Sequence, residues 1–298
     1  MSVRNLRVVM APLTAVAVFA AMVTIAGQPT IAAQRASEAS TPAGQQPPAV
    51  PGGGGRGRGR GPTGPPPPAR QGAPVDLVGN WVSVVTEDWQ WRMRTPPKGD
   101  YASVPMTPRA RQQADTWDPS KDGMCEAYGV GGIMRMPGRL RISWQDDNTL
   151  KIETDAGQQT RLLHFTPPGA QPQTMSAIAS QPRTLQGYSV AEWVRSGGAF
   201  DAFLERGAGA PPPRWGGLRV VTTNVLAGWL RRNGVPYSQD AVITENITRF
   251  THPDAGDWFV VTTTVEDPQN LAQPFITSSN FKKEADGSKW NPQPCKAQ

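Results

Sequence analysis

The side chains that most often carry catalysis or bind metals are scarce in this chain. Of its 298 residues two are cysteines, Cys125 and Cys295, and two are histidines, His164 and His252. A hydrolase triad would come with a G-x-S-x-G turn and a redox dithiol with a close C-x-x-C pair, and the sequence contains neither. A mononuclear zinc site needs three or four ligands, which this set does not supply at any recognisable spacing. We therefore predict no metal site and no catalytic residue of these types.

The two cysteines have a structural interpretation instead. In an exported protein two cysteines most often pair, so we expect a disulfide between Cys125 and Cys295, with two free thiols as the alternative. The bond would tie the C-terminal segment to the middle of the chain and close a long loop. In the chain-entropy model such a bond stabilises the fold by roughly 4–5 kcal/mol.

Carboxylates offer the other route to chemistry. Glycoside hydrolysis needs two carboxylates that face each other across a cleft, and Glu192, Glu245 and Glu266 lie within or at the ends of predicted strands. Glu245 follows the alternation of the isoleucines two residues to either side, which predicts an inward side chain. We expect it to orient a ligand or close a barrel end, with Arg249 as its neighbouring arginine. Catalysis by barrel carboxylates is the lesser alternative.

Three runs of alternating apolar and polar residues lie between Arg139 and Phe165, and the third carries His164. Asp146-Asp147-Asn148 separates the first two runs, and a three-residue loop there would place Trp144 opposite Leu150, with Asn148 in the left-handed conformation. The other face would pair Arg141 with Glu153, as on a solvated surface. The pattern predicts an antiparallel meander with one buried face.

The second turn of the meander determines where His164 points. Asp155-Ala156-Gly157 has glycine where a three-residue loop favours it. Such a loop would pair Leu150 with Leu162 and direct His164 to the buried face.

The N-terminal quarter of the chain has a different composition. Residues 1–33 combine two arginines, an apolar run and a small-residue end, which predicts a signal peptide and export from a bacterial cell to the periplasm or beyond. An uncleaved membrane anchor is the alternative. Residues 34–74 form a Gly/Pro/Arg-rich tract that we expect to be a disordered linker. It could contact anionic envelope polymers.

The positive charge belongs to this leader and linker. The chain carries 30 basic and 24 acidic residues, and seven of the basic but only one of the acidic residues precede residue 75. Residues 75–298 therefore carry equal numbers of both signs. We predict no nucleic-acid partner for this domain, because its charge supplies no basic footprint.

Residues 75–298 read as one all-β domain. Thr107-Pro108 predicts the start of one short helix, and Pro-rich residues 167–186 and 207–214 predict long loops. Strands are predicted at 80–89, 187–194, 218–226, 241–250, 257–266 and 275–283, beside the meander. Eight to ten strands with mostly hairpin-length links favour an antiparallel up-and-down β-barrel.

One tripeptide adds a family resemblance. Gly79-Asn80-Trp81 opens the first predicted strand and resembles the G-x-W of lipocalins and their calycin relatives. The resemblance implies that Trp81 plugs one end of a lipocalin-like barrel. It also implies a haem bound through a strand histidine as a lesser possibility, for which His164 is the candidate; we otherwise expect no cofactor.

These observations favour an exported binding protein for a small hydrophobic or amphipathic molecule over an enzyme. A barrel of this size can enclose a ligand, and several of the ten tryptophans, Trp193 among them, lie near strand ends where they could form a binding rim. The candidate ligand contacts are Trp144, His164, Glu245, Arg249 and Trp258. The alternative is an envelope interaction module whose barrel is filled by its own side chains.

Overall fold

A computed structural model describes residues 66–118, 120, 125–195 and 216–295. The predicted signal peptide, most of the predicted linker and the predicted loop at 207–214 lie outside these residues. No helix in the described ranges is long and apolar enough to cross a membrane.

The described chain is organised around short strands. The strands are β1 (Gly79–Val84), β2 (Arg139–Asp146), β3 (Thr149–Thr154), β4 (Ala156–Gly157), β5 (Thr160–Phe165), β6 (Tyr188–Arg195), β7 (Gly216–Thr223), β8 (Gly228–Arg231), β9 (Val235–Tyr237), β10 (Val242–His252), β11 (Gly256–Glu266), β12 (Phe275–Glu284) and β13 (Gln293–Pro294). The helices are α1 (Trp89–Arg92), α2 (Pro108–Asp115) and α3 (Met175–Ala179), and 3-10 turns lie at Glu126–Tyr128 and Ile133–Arg135.

Nine of these strands close a barrel in the order β1-β12-β11-β10-β7-β6-β5-β3-β2. The predicted all-β barrel is thereby confirmed. Strands β5 and β6 run parallel, and the other neighbouring barrel strands run antiparallel. An odd number of strands cannot alternate direction all the way around a closed ring, so at least one parallel pair is required. The connection that contains α3 joins this pair, because parallel neighbours need a crossover.

The first turn of the meander has the predicted register, but a two-residue turn with a bulge produces it instead of a three-residue loop. Trp144 lies opposite Leu150, and Arg141 lies opposite Glu153, as predicted. The chain turns at residues 147–148, and a bulge between Trp144 and Asp146 restores the alternation. The prediction of a left-handed Asn148 is wrong, because positive φ falls on other residues. Its side chain instead accepts a hydrogen bond from the Ala69 backbone N–H at 3.1 Å.

The second turn is longer than predicted, and this changes which side chains face inward. Thr154 N–H donates to the Gln159 carbonyl at 2.9 Å, so the turn spans residues 155–158, with Gly157 at φ 74°. Leu150 consequently pairs with Leu163 instead of Leu162. The turn is longer because β4 lies within it and pairs with β13 near the C-terminus. A pairing this distant in sequence leaves no local signal.

Other elements follow the sequence to different degrees. Helix α2 is confirmed, with the Thr107 hydroxyl accepting from Ala110 N–H at 3.2 Å and proline at the first helical position. The predicted strand at 80–89 is wrong in its second half, because the chain leaves β1 after Val84 and α1 forms at Trp89. The short β8–β9 hairpin falls in a stretch where no strand was predicted.

The barrel interior is filled by large side chains. Fully buried residues in it are Trp81, Leu150, Ile152, Leu163, Leu218, Ile243, Phe259 and Phe281. Trp81 packs edge-to-face on Phe259, with ring centroids 4.7 Å apart, and its indole N–H donates to the Leu77 carbonyl at 2.9 Å. The hydrogen bond satisfies the indole N–H, which is the one polar group of this large buried ring.

A disulfide joins the C-terminal segment to the chain that follows α2. Cys125 and Cys295 are bonded, with Cα atoms 5.6 Å apart and a sequence separation of 170. This distance is ordinary for a disulfide. The Gln293 N–H also donates to the Asp155 carbonyl at 2.8 Å, so backbone pairing and the covalent bond hold the same segment.

Candidate functional site

The centre of the barrel holds a buried ion pair. Arg161 on β5 donates to Glu245 on β10 through both terminal nitrogens, one of them at 3.1 Å from Oε1. Both side chains are 1% exposed. The inward orientation of Glu245 is therefore confirmed, but the predicted partner is wrong: Arg161 takes the position proposed for Arg249. The revised turn after β3 explains this, because it turns Arg161 inward.

A cleft lies at one mouth of the barrel. Its volume is about 480 Å³, and its wall includes Trp144 at the end of β2, Leu150 at the start of β3 and Trp193 near the end of β6. Arg70, Gln71 and residues 73–78 complete its lining. Site volumes of about 300–1,000 Å³ are typical of small-molecule pockets.

The two tryptophans of the cleft wall pack with the buried Phe165 in a cluster of three aromatic rings. Trp144 and Trp193 lie 6.3 Å apart between centroids, and Phe165 lies 5.7 Å from Trp144 and 5.1 Å from Trp193. The rings are tilted against one another, which is a favourable arrangement for aromatic pairs. Trp144 and Trp193 therefore present apolar surface to the cleft while they pack on Phe165 behind them.

Residues 66–78, which we call the strap, hold the other side of the cleft. The Arg70 N–H donates to the Asp147 carbonyl at 3.0 Å, and the Trp193 indole N–H donates to the Ala69 carbonyl at 2.8 Å. The Arg195 guanidinium donates to the Gly72 carbonyl at 2.6 Å. These bonds join the strap to the β2–β3 turn and to β6, although the sequence interpretation placed residues up to 74 in the linker.

The cleft combines apolar and charged groups. Val75, Leu77 and the two tryptophans supply apolar surface, whereas Arg70 and Asp76 supply one charge of each sign. Arg249 links the strap to β11, because it donates to the Asp76 carbonyl at 2.9 Å and to the Asp257 carboxylate at 2.7 Å. The predicted ligand contact Arg249 therefore lies behind the strap, where it holds the backbone.

Two other predicted ligand contacts lie outside the lumen. The predicted inward orientation of His164 is wrong: it pairs with Thr149 in the shifted register, and its ring stacks on Tyr188 with centroids 4.7 Å apart. Burial lowers the pKa of His164, and the nearby Asp146 opposes part of this shift. Trp258 alternates with the buried Phe259, and Lys282 lies 5.6 Å over its ring on the outer wall.

This placement bears on the cofactor interpretation. A haem inside the barrel would need an inward axial ligand and an open lumen, but His164 faces outward and large side chains fill the interior. The residues therefore do not fit a lumen haem. Within the described ranges no cluster of three or more histidine, cysteine or carboxylate side chains is arranged to hold a metal ion.

Of the predicted set, the structure brings Trp144 to the cleft and separates the other four from it. Two parts of the cleft are not among the ligand contacts that the sequence predicts. They are Trp193, which the sequence places near a strand end, and the strap. The Pro-rich strap has the composition of a linker, so only its backbone bonds to the barrel distinguish it. The chain matches no protein-family model, no curated protein and no solved structure.

Proposed function

We propose that this protein is an exported binding protein that holds one small amphipathic molecule in the cleft at the barrel mouth. The observation that carries the proposal is the cleft of about 480 Å³ between the strap and the tryptophans Trp144 and Trp193. It joins an aromatic wall to a few charged groups at its rim, which is the usual composition of a small-molecule site.

The lining indicates the chemistry of the ligand. An apolar or ring-shaped body would lie against Trp144 and Trp193, where flat surfaces gain contact area without ordering flexible side chains. A polar head would lie toward Arg70 and Asp76. This arrangement differs from a ligand enclosed in the lumen, because Arg161, Glu245 and the large apolar side chains occupy that space.

Export is part of the proposal. The Cys125–Cys295 disulfide fits an oxidising compartment, and the apolar N-terminal segment is the feature that predicts the route. The linker would then hold the barrel near the cell envelope, with its arginines against anionic polymers. Lipocalin-like describes the barrel's shape in this proposal, and the ligand lies at the mouth.

A fluorescence titration tests the proposed site. The probe is 1-anilinonaphthalene-8-sulfonate, an amphipathic molecule whose emission rises in apolar surroundings. We expect Trp144→Ala to weaken probe binding about tenfold, equivalent to about 1.4 kcal/mol. Trp258→Ala is the matched control, because it removes a tryptophan from the outer wall. Equal affinity in wild type and Trp144→Ala would contradict the assignment of the cleft.

A second function is favoured by one specific observation, the filled lumen. A barrel packed with its own side chains suits an envelope interaction module that binds no small molecule. In that case the probe would bind weakly and both tryptophan variants would behave alike. An enzyme that uses barrel carboxylates has less support, because Arg161 engages both oxygens of Glu245.

A further inference from the structure

Four arginines gather at the end of the barrel opposite the cleft. One small cavity is lined by all four, Arg92, Arg135, Arg231 and Arg232, together with Trp91, Gly132, Met136 and Leu230. Ser83, near the last residue of β1, contacts Arg92, whereas Leu77, before its first residue, lines the cleft. The cavity and the cleft are thus separated by the length of β1.

Two of the arginines have carboxylate partners. Arg92 forms an ion pair with Glu87, and its Nε donates to the Arg135 carbonyl at 2.9 Å. Arg135 donates from Nη2 to Asp88 at 2.9 Å. Arg232 donates to the Arg92 carbonyl at 2.8 Å. The described residues that line the cavity include no acidic side chain.

Arg231 is different. Its side chain lies over the Trp91 ring with the guanidinium carbon 4.4 Å from the centroid, and the residue is only 4% exposed. All three of its guanidinium nitrogens are buried, and none has a hydrogen-bond partner among the residues that the structure describes. The Nη1 of Arg135 is buried and unpaired in the same described part. Five N–H donors of Arg231 are therefore unsatisfied beside a second incompletely bonded guanidinium.

Burying these unpaired guanidinium donors is unfavourable unless a negatively charged group occupies the cavity. A buried charge without a partner destabilises the folded state, because it has lost its hydration and gained nothing in return. Burial and the neighbouring Arg135 lower the pKa of Arg231 to about 10, so Arg231 is still a cation near neutral pH. Asp88 and Asp100 act in the opposite direction, but Asp88 is bonded to Arg135 and Asp100 accepts from the Trp91 indole at 2.9 Å.

The cavity volume limits what could supply the missing negative charge. It is about 20 Å³, and roughly 10–15 Å³ is enough for one water molecule. A halide ion is only slightly larger than water, whereas a phosphate or sulfate carries four oxygens and would not fit without displacing the lining side chains.

We propose that this cavity is a binding site for one monatomic anion of chloride size, held between the guanidinium groups of Arg231 and Arg135. The Arg231 fork supplies donors on one side, and Arg135 Nη1 supplies a donor on the other. The bound ion neutralises the charge that the acidic side chains leave uncompensated. This site is independent of the proposed ligand cleft.

Chloride-dependent stability is the first test. An ion that binds only the native state lowers the unfolding equilibrium constant by the factor 1 + [L]/Kd, about a hundredfold at a hundred times Kd. Urea unfolding would be measured in sodium chloride and in sodium gluconate at equal ionic strength. We expect wild type to gain stability in chloride, and Arg231→Met to show no chloride dependence.

Two variants test whether the chloride dependence arises at Arg231. In gluconate, Arg231→Met should be at least as stable as wild type, because it removes an unpaired charge and keeps an unbranched side chain over Trp91. Arg219→Met is the matched control: Arg219 lies on the outer wall, where it pairs with Glu192, and this variant should keep the full chloride dependence. Equal chloride dependence in Arg231→Met and wild type would overturn the proposal.

Diffraction from wild-type crystals grown in bromide gives a second readout that needs no variant. We expect an anomalous peak within hydrogen-bonding distance of Arg231 and Arg135 Nη1. A cavity that holds only water would overturn the proposal. Sulfate stabilising as strongly as chloride through Arg231 would also overturn it, because the size argument would then be wrong.

Discussion

Arg161 and Glu245 come from strands that are not neighbours in the sheet, and they meet inside the barrel with both terminal nitrogens of the arginine on the carboxylate. The pair spans the interior from β5 to β10 and occupies space that an internal ligand would need. Its donors and acceptors are mostly satisfied by each other, so the lumen stays packed even where it is polar.

Removing one partner of this pair should lower the free energy of unfolding, whereas replacing both partners by apolar side chains should not. Glu245→Gln or Arg161→Met alone should lower the free energy of unfolding by about 3–5 kcal/mol, because each leaves an uncompensated buried group. The double replacement Arg161→Met with Glu245→Leu should be nearly neutral or stabilising. Urea denaturation of Arg161→Met, Glu245→Leu and the double variant measures the coupling, and Glu245→Gln is compared separately with its counterpart on the surface.

The surface pair Arg219–Glu192 provides the control for this cycle. Both of its side chains are well exposed, so Glu192→Gln should change stability by less than about 1 kcal/mol. A loss at Glu245 as small as that at Glu192 would show that the central pair is not desolvated as the structure places it.

Trp81 should be among the most sensitive positions in the core. Trp81→Ala removes a fully buried ring and its bond to the Leu77 carbonyl, and should lower the free energy of unfolding by about 3–5 kcal/mol. Trp89, which is 62% exposed, is the control, and Trp89→Ala should change stability by about 0.5 kcal/mol or less. Chemical denaturation distinguishes them; a loss below about 1 kcal/mol at Trp81 would remove it from the core.

The disulfide should stabilise the fold only under oxidising conditions, where it can form. Cys295→Ser should lower stability by up to roughly 5 kcal/mol under oxidising conditions, because a 170-residue loop is no longer closed in the unfolded chain. Thermal unfolding with and without reductant measures this. In reductant, wild type and variant should unfold alike, and a persistent difference there would assign the effect to packing of the C-terminal segment.

His164 should make stability depend on pH in a defined window. Its pKa is lowered in the native protein by burial, so the unfolded chain takes up a proton at higher pH than the native protein does. Stability should therefore fall as the pH decreases below about 6.5 and level off below the native pKa. His164→Gln should reduce the difference in unfolding free energy between about pH 7.5 and about pH 5.5.

Asp257 does not confound that window. The Thr251 hydroxyl and Arg249 help to lower the pKa of Asp257 below its ordinary value, so its contribution is lost only at still lower pH. If His164→Gln showed the same loss as wild type between the two measured pH values, His164 would not be the group responsible.

Local sequence patterns predicted the barrel well where neighbouring strands pair through short turns. The register of Trp144 with Leu150 follows from alternation alone, and Thr107-Pro108 specifies the start of α2 because capping is a local interaction. The inward position of Glu245 follows from the same period of two.

Contacts between distant segments were not predictable in this way. The turn after β3 is lengthened by β13, which pairs with it from the far end of the chain, and this single change directs Arg161 inward and His164 outward. The strap resembles a linker in composition, and the Arg231 cavity depends on a hairpin whose alternating pattern is only a few residues long. Both functional proposals therefore rest on tertiary contacts.

Native mass spectrometry of the exported, processed protein tests the ligand-binding proposal most directly. Wild type should carry one additional small-molecule mass that is released on denaturation, and Trp144→Ala should carry less of it while Trp258→Ala carries as much as wild type. Wild type that carries no additional mass and also fails to bind the amphipathic probe would contradict the proposed cleft and favour the filled-barrel interaction module.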